Sequence, residues 1–232
     1  KVRRLTGLDV QRHDYQQQAV VATVRTERPH RETAWQRFLP AGPLAFLPLW
    51  DDRCSIVWST GPDHAARLCE MQDAEFGAET AAAFDHTLGA VAVDGPRASF
   101  PLRRQHAPRY TRARTALVGD AAHTVHPLAG QGVNLGLLDA AALSAVIQEA
   151  TGVGRDIGAT LTLRRYERWR KGENLIMMAA LDGFKHLYGS ASPPLRLARN
   201  LGMTLFDHAG AVKHFVMCRA MGLTGDLPPL AR

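Results

Sequence analysis

The sequence predicts an α/β chain: an antiparallel sheet comes first, a strand–turn–helix unit follows, and helices fill the C-terminal third. Three observations carry this reading. From Gln18 to Glu27 the residues alternate, with Val20, Ala22 and Val24 on one side and Val21, Thr23 and Arg25 on the other, the period of a half-buried strand. Between Ala116 and Gly136 a short apolar run stops at Gly119-Asp120 and passes a turn containing Pro127, Gly130 and Gly132. It then opens into Leu135, Leu138, Ala142, Ala145, Val146 and Glu149, spaced by threes and fours as on a helix. After residue 150, helix formers dominate the chain.

The elements follow in order. Residues 1–14 read as an Arg-rich loop or strand end. Trp35 to Leu39 is a second strand. The runs Leu44 to Leu49 and Cys54 to Ser59 flank Asp51-Asp52-Arg53 and make a hairpin. Pro48 belongs at an edge or bulge because it has no N–H for the ladder. Residues 63–84 are helical in two pieces, with Asp73 placed to cap the second. Another strand ends at Ser99-Phe100-Pro101-Leu102. Residues 97–114 carry six arginines and no acid, a patch that a phosphate or a nicotinamide cofactor could use, although solvation or intramolecular pairing is the commoner fate of such charges. The helix after the glycine turn runs to about Ala150, and further helices cover 156–188, 195–207 and 211–221, with a break between Gly189 and Pro194. Three regions result: residues 1–102 as a sheet domain with helix, 103–150 as the strand–turn–helix unit, and 151–232 as a helical region.

Composition narrows the function classes. A chain of 232 residues with 46% hydrophobic content has ample material for a core, and no run of eighteen apolar residues marks a membrane span. Cys54, Cys69 and Cys218 are odd in number and far apart, which fits free thiols of a cytoplasmic protein better than disulfides or a metal site. Residues 1–149 hold sixteen basic and sixteen acidic side chains, whereas residues 150–232 hold twelve against six. That asymmetry suits an anionic membrane surface or a solvated face. No basic motif interleaved with aromatics supports nucleic acid.

The glycine turn is the candidate site. Gly130 and Gly132 tolerate positive φ and close approach of another group. The helix start behind them offers unpaired N–H groups and a partial positive charge, a setting for an electron-rich ligand. Asp120 at the strand end can accept hydrogen bonds from ligand hydroxyls. Two other readings stay open. Asp120 is an ordinary capping residue in one; in the other Asp120, His123 and His126 ligate a hydrolytic metal, although Pro127 and the glycines break the single helix that would present all three.

Gly119-Asp120-Ala121-Ala122-His123, then His126-Pro127, then Gly130-Gln131-Gly132-Val133-Asn134-Leu135-Gly136-Leu137-Leu138-Asp139-Ala140 resembles the second flavin-binding motif of the class A FAD-dependent aromatic hydroxylases. Within that group the chain is most similar to the ubiquinone-biosynthesis hydroxylases, nearest the 2-polyprenylphenol hydroxylase type. The resemblance implies that the strand–turn–helix unit is the C-terminal part of a Rossmann-like FAD-binding domain, followed by C-terminal helices. It implies that Asp120, with Gly119, holds the ribityl region of FAD, and that the backbones of Gly132, Val133 and Asn134 face the flavin pyrimidine end. Pro127 and Gly130 would shape the turn. Arg3, in Lys1-Val2-Arg3-Arg4, stands where the family has the arginine of an Asp-Gly-x-x-Ser-x-x-Arg motif. The preceding Asp-Gly and the pyrophosphate-binding Gly-x-Gly-x-x-Gly do not occur here, so an N-terminal part of the enzyme is expected to be missing, and the piece alone can be an inactive accessory domain.

The same resemblance makes the sheet the roof of a substrate pocket, with Phe46, Leu47 and Pro48 near the substrate. It implies an NAD(P)H- and O2-dependent monooxygenase that works through a flavin hydroperoxide and hydroxylates a polyprenylated phenol, at carbon 5 of the ring by the closest likeness. Such an enzyme would sit in the cytoplasm, peripheral on the inner membrane face, with other ubiquinone-biosynthesis proteins or a second copy as partners. The family supplies no catalytic acid or base to assign, since the cofactor carries the difficult step.

Overall fold

A computed structural model of the chain describes residues 2–125, 130–189, 192–220, 222 and 224–231. The chain divides into two compact units. A sheet unit holds residues 14–102 and 188–191, and a helical unit holds 1–13, 103–187 and 192–232. Two strands, β1 (Gln11–Thr26) and β6 (Ala98–His106), run through residues of both.

In the sheet unit β1 is followed by β2 (Trp35–Leu39), β3 (Gly42–Pro48) and β4 (Arg53–Thr60). The antiparallel order is β2-β3-β4-β1, and β5 (Val91–Val93) pairs with the far end of β1. Register explains the core. Val20, Ala22 and Val24 lie opposite Trp58, Ile56 and Cys54. On the other side of β4, Leu44 faces Trp58 and Phe46 faces Ile56. The period of two thus turns one residue set from each strand to the same face, and all of them are buried. Helices α2 (Pro62–Glu70) and α3 (Asp73–Ala83) add Ala65, Leu68 and Phe76 to this cluster, with the Phe84 ring tilted against that of Phe46 at 4.6 Å between centroids. Each fully buried large side chain contributes about 1.5–3 kcal/mol.

Pro48 ends β3 opposite Cys54, beyond Phe46↔Trp35, the last pair that β3 makes with β2. Its missing N–H therefore faces no ladder partner, as expected of an edge position. Asp51 and Asp52, both with left-handed φ near +60°, make the turn to β4. The capping assignment for Asp73 is corrected: Gln72 is the N-cap and Asp73 the first helical residue, where its charge suits the positive end of α3.

The helical unit begins with a helix, α1 (Val2–Thr6), where the sequence suggested a loop or strand end. After β6 come two short strands, β7 (Thr111–Arg112) and β8 (Thr115–Ala116), paired with each other. A 3-10 turn (Gly119–Ala121) and β9 (His123–Thr124) follow, with β9 paired to β6 through Gln105↔Thr124 and His106↔His123. The expected strand before Gly119 is thus only two residues long. Beyond it the Leu117 N–H bonds to the Tyr110 carbonyl, and the Tyr166 hydroxyl donates to the Leu117 carbonyl at 2.7 Å, so this backbone is satisfied outside a ladder.

Helices α4 (Gln131–Gly152), α5 (Thr160–Gly189), α6 (Pro193–His208) and α7 (Gly210–Ala220) complete the unit. Its core joins Leu8, Tyr110, Leu117, Ala142, Val146 and Tyr166. Among the described residues α4 alone is long and apolar enough to cross a bilayer, but it carries a buried, ion-paired Asp139 at its middle, which marks the core helix of a folded domain. The arginine-rich segment is largely paired within the protein. Arg97 binds Asp73 and lies over the Phe76 ring, Arg104 pairs with Asp182, Arg112 with the Thr6 carbonyl and Arg114 with Asp156. Cys54, Cys69 and Cys218 are free.

Candidate functional site

The turn at 119–121 is built by several donors aimed at its backbone. Within it the Ala121 N–H bonds to the Val118 carbonyl and the Ala122 N–H to the Gly119 carbonyl. From outside, the Gln105 side chain donates to the Asp120 carbonyl at 3.0 Å, and Arg3 donates through Nη1 to the Ala121 carbonyl at 3.0 Å. Arg3, predicted from the N-terminal tail, is therefore at the turn that carries Asp120. The Asp120 side chain itself is exposed, and no hydrogen bond to its carboxylate is recorded among the described residues.

The turn packs on α4, where Gly119 meets Gly136 and its N–H reaches Asp139. Gly130 is the N-cap of this helix, in the left-handed region at φ +62°, and as a glycine it brings no capping side chain of its own. No acid occupies the first turn. A helix start of this kind offers N–H groups and the positive end of its dipole to an electron-rich ligand. Gly130, Val133 and Asn134 are exposed, and a Cβ placed on Gly132 would meet nothing within 4 Å. A cavity of about 230 Å3 adjoins this first turn, lined by Gln131 and Asn134 together with Arg170, Glu173, Met177 and Asp226. Trp169 holds the far wall by donating from Nε1 to the Asp226 carbonyl.

Turn and helix are locked by a buried cluster. Asp139 accepts hydrogen bonds on both carboxylate oxygens. Oδ2 takes the Gly119 N–H at 3.1 Å and His123 Nε2 at 2.6 Å; Oδ1 takes Arg170 Nε at 2.9 Å and Asn174 Nδ2 at 3.1 Å. Arg170 also donates to Asn174 Oδ1, and the Tyr110 hydroxyl lies 3.5 Å from Asn174. Asp139, His123, Arg170 and Asn174 are each at most 3% exposed. Burial alone would raise the Asp139 carboxyl, but the hydrogen bonds from His123, Arg170 and Asn174 outweigh it and hold the group below the usual carboxylate range. Burial pushes the Tyr110 phenol up to about 12 and raises Tyr166 as well. Gly119 and Gly136 let the backbones meet: a Cβ on Gly136 would stand 3.2 Å from the Gly119 Cα.

The sequence named the turn and the helix start but missed Asp139, Arg170, Asn174 and Tyr110. A signal was present. Asp139 sits on the apolar stripe of α4 with Leu135, Ala142 and Val146, and Arg170 and Asn174 sit on that of α5 with Leu163, Tyr166, Met178 and Leu181. Charged or amide residues on a buried stripe must find partners.

The other predicted residues fall as follows. Pro127 and His126 lie outside the described residues. Phe46 is fully buried in the core of the sheet unit, Leu47 is exposed on the opposite face of β3, and Pro48 is half-buried. Phe46 is thus a packing residue. As for a metal, Nε2 of His123 is turned inward to Asp139 whereas Asp120 faces solvent, and no group of three His, Cys, Asp or Glu that would hold an ion exists among the described residues. An exposed acceptor and a glycine-led helix start fit the sugar and electron-rich ring of a flavin nucleotide.

The profile of the FAD binding domain family matches residues 1–171. The chain is 41% identical over 223 residues to the 3-demethoxyubiquinol 3-hydroxylase of Escherichia coli, covering 96% of this chain and 57% of that protein. It is 42% identical to the ubiquinone hydroxylase UbiL of Rhodospirillum rubrum, over 99% of this chain and 54% of the other. The human mitochondrial ubiquinone biosynthesis monooxygenase COQ6 is 38% identical over 94% of this chain and 54% of its own length. The chain thus spans little more than half the length of these relatives. In fold it is similar to p-nitrophenol 4-monooxygenase PnpA from Pseudomonas putida, at a TM-score of 0.73 and 22% identity over 97% of this chain and 57% of that one. It is also similar to pqsL, a probable FAD-dependent monooxygenase from Pseudomonas aeruginosa, at 0.69 and 23% over 82% and 53%.

Proposed function

This chain belongs to the FAD binding domain family, and we propose that it forms the second flavin-binding motif and the substrate sheet of a flavoprotein monooxygenase acting on the aromatic ring of a polyprenylated phenol in ubiquinone biosynthesis. The observation that carries the reading is the pairing of the exposed Asp120 carboxylate with the glycine-led start of α4. Asp120 would accept hydrogen bonds from the FAD ribityl or ribose hydroxyls. The N–H groups at Gly132, Val133 and Asn134 would stabilise negative charge on the pyrimidine end, where a helix start acts as a fixed, preorganised dipole. FAD, when bound, supplies the redox chemistry, with NAD(P)H as reductant and O2 as oxidant.

The protein's own part is to bind, orient and exclude water. Arg3 and Gln105 fix the backbone carbonyls of Ala121 and Asp120, so the Asp120 carboxylate is presented from a braced turn. Leu47, exposed on β3, and Pro48 remain the sheet residues offered to the substrate, with Phe46 supporting them from the core. Carbon 5 is the ring position proposed from the sequence likeness, whereas the E. coli relative is named for hydroxylation at position 3. A peripheral membrane location fits the exposed apolar side chains Leu197, Leu201 and Leu205 of α6 and Val212, Phe215 and Val216 of α7.

The test uses the enzyme with its upstream half restored. Addition of a short-chain polyprenylphenol should accelerate NADPH oxidation and yield a product heavier by one oxygen, with NMR placing the new hydroxyl at carbon 5. Hydroxylation at another carbon would overturn the positional assignment. Absence of any phenol-dependent oxidation in a flavin-loaded enzyme would overturn the reaction class.

A further inference from the structure

We propose that Asp139 is a positioning residue for the flavin site, acting through His123 and the Gly119 N–H to hold the Asp120 turn and the start of α4 as one unit. The proposal rests on the cofactor reading above and goes beyond it, since Asp139 is buried and touches no ligand-facing surface.

The two oxygens of this carboxylate divide their work. Oδ1 faces α5, bonding to Arg170 and Asn174. Oδ2 faces the turn, and both of its donors come from there: the Gly119 N–H, one residue before Asp120, and His123 Nε2, three residues after it. Asp120 is therefore bracketed by two anchors that converge on a single oxygen atom. That oxygen belongs to α4, eight residues after Gln131, on the order of 12 Å along the axis from that first residue. A rigid helix thus carries one flavin contact at its start and the anchor of the other in its middle. The contact of Gly119 with Gly136 closes the same joint from the backbone side. His123 Nε2, 2.6 Å from Oδ2, closes the network on the turn side.

This arrangement serves positioning more than bulk packing. Arg170 and Asn174 alone would satisfy the carboxylate's link to α5, and the turn already has its internal backbone bonds. What the Oδ2 side adds is a fixed distance between turn and helix. A misplacement of a contact by about 1 Å is enough to cost a large factor in ligand recognition.

The experiment compares four variants in the full-length enzyme, stripped of flavin and titrated with FAD by fluorescence quenching, with the melting temperature of each apo-protein recorded. His123→Phe keeps the ring volume and removes the donor to Oδ2. Val146→Ala opens a cavity in the core face of the same helix, seven residues beyond Asp139 and with no hydrogen bond to its carboxylate, and serves as the stability-matched comparison. Asp120→Ala tests the cofactor reading itself. The expected result is a rise in the FAD Kd of about tenfold or more for His123→Phe, the loss of one hydrogen bond to a charged group. Val146→Ala should stay within about twofold at an equal or larger drop in melting temperature. His123→Gln, which keeps a side-chain N–H, should restore most of the affinity, and it decides the matter where the Phe variant does not fold. Equal weakening by His123→Phe and Val146→Ala in proportion to lost stability would overturn the positioning role. So would an unchanged Kd in His123→Phe beside lost binding in Asp120→Ala. Unchanged binding in Asp120→Ala would instead overturn the cofactor reading on which the proposal rests.

Discussion

Removal of either charge from the Asp139–Arg170 pair should unbalance the core of the helical unit, and a double-mutant cycle measures by how much. Asp139→Leu leaves the Arg170 guanidinium, 3% exposed, with Asn174 Oδ1 as its remaining bond in the cluster, and also strips acceptors from the Gly119 N–H and His123. Breaking one side of a buried pair costs about 3–5 kcal/mol. Arg170→Met is less severe at the carboxylate, which keeps the Gly119 N–H, His123 and Asn174 as partners, but it removes the guanidinium bonded to Oδ1. In the double variant no charge is stranded, so the losses should fall short of their sum by about 2 kcal/mol or more. Urea unfolding followed by circular dichroism reads the cycle. With a slope of about 2 kcal/mol per molar, Asp139→Leu alone should lower the midpoint by roughly 2 M. Single effects that add to within about 0.5 kcal/mol would show that the two side chains do not stabilise each other, and the reasoning would fall.

Further outcomes are expected of the same structure. The folded-state pKa of Asp139 is depressed, so its stabilisation is complete above the unfolded carboxylate value near 4 and is lost as pH falls through the folded value; Asp139→Asn should flatten the loss of stability below about pH 4 in acid titrations. Ultraviolet titration should show Tyr110 ionising near pH 12 rather than 10, with Tyr166 still protonated there, and a loss of absorbance change near pH 10 in Tyr110→Phe or Tyr166→Phe would contradict their burial. Tyr166→Phe strands the Leu117 carbonyl and should cost about 1–3 kcal/mol in denaturant midpoint experiments. In the sheet unit a Cβ on Gly77 would stand 2.1 Å from the Val91 carbonyl oxygen, so Gly77→Ala must push α3 from β5 at about 1–3 kcal/mol; a neutral melting temperature would show that this contact yields freely.

Much of this architecture was legible because it rests on periodicity. The alternation of Val20, Ala22 and Val24 reappears as one buried face, and the hairpin across Asp51-Asp52 was readable from its flanking apolar runs. The start of α4 was legible from Gly130 and Gly132, because glycine marks backbone conformations that other residues avoid. The N-terminal helix was not legible, since five residues hold too little pattern, and neither was the brevity of β8, since its backbone is completed by Tyr110 and by Tyr166, about fifty residues away. The buried cluster lies between these cases. Asp139, Arg170 and Asn174 each break an apolar stripe, which announces a buried polar contact, but nothing in a linear sequence says that the three share it. For Phe46 the register decides what an aromatic on a strand leaves open: its side chain turns into the sheet core and Leu47 is left outside.

The most direct test of the account is an FAD titration of the chain extended by its upstream half, with Asp120→Ala beside the unaltered protein, read by visible absorption after removal of free flavin. The account predicts stoichiometric flavin bands in the unaltered protein and their loss from a still-folded Asp120→Ala variant. Equal flavin content in both, or a colourless unaltered protein after loading, would contradict the assignment of this turn and helix start as the cofactor site.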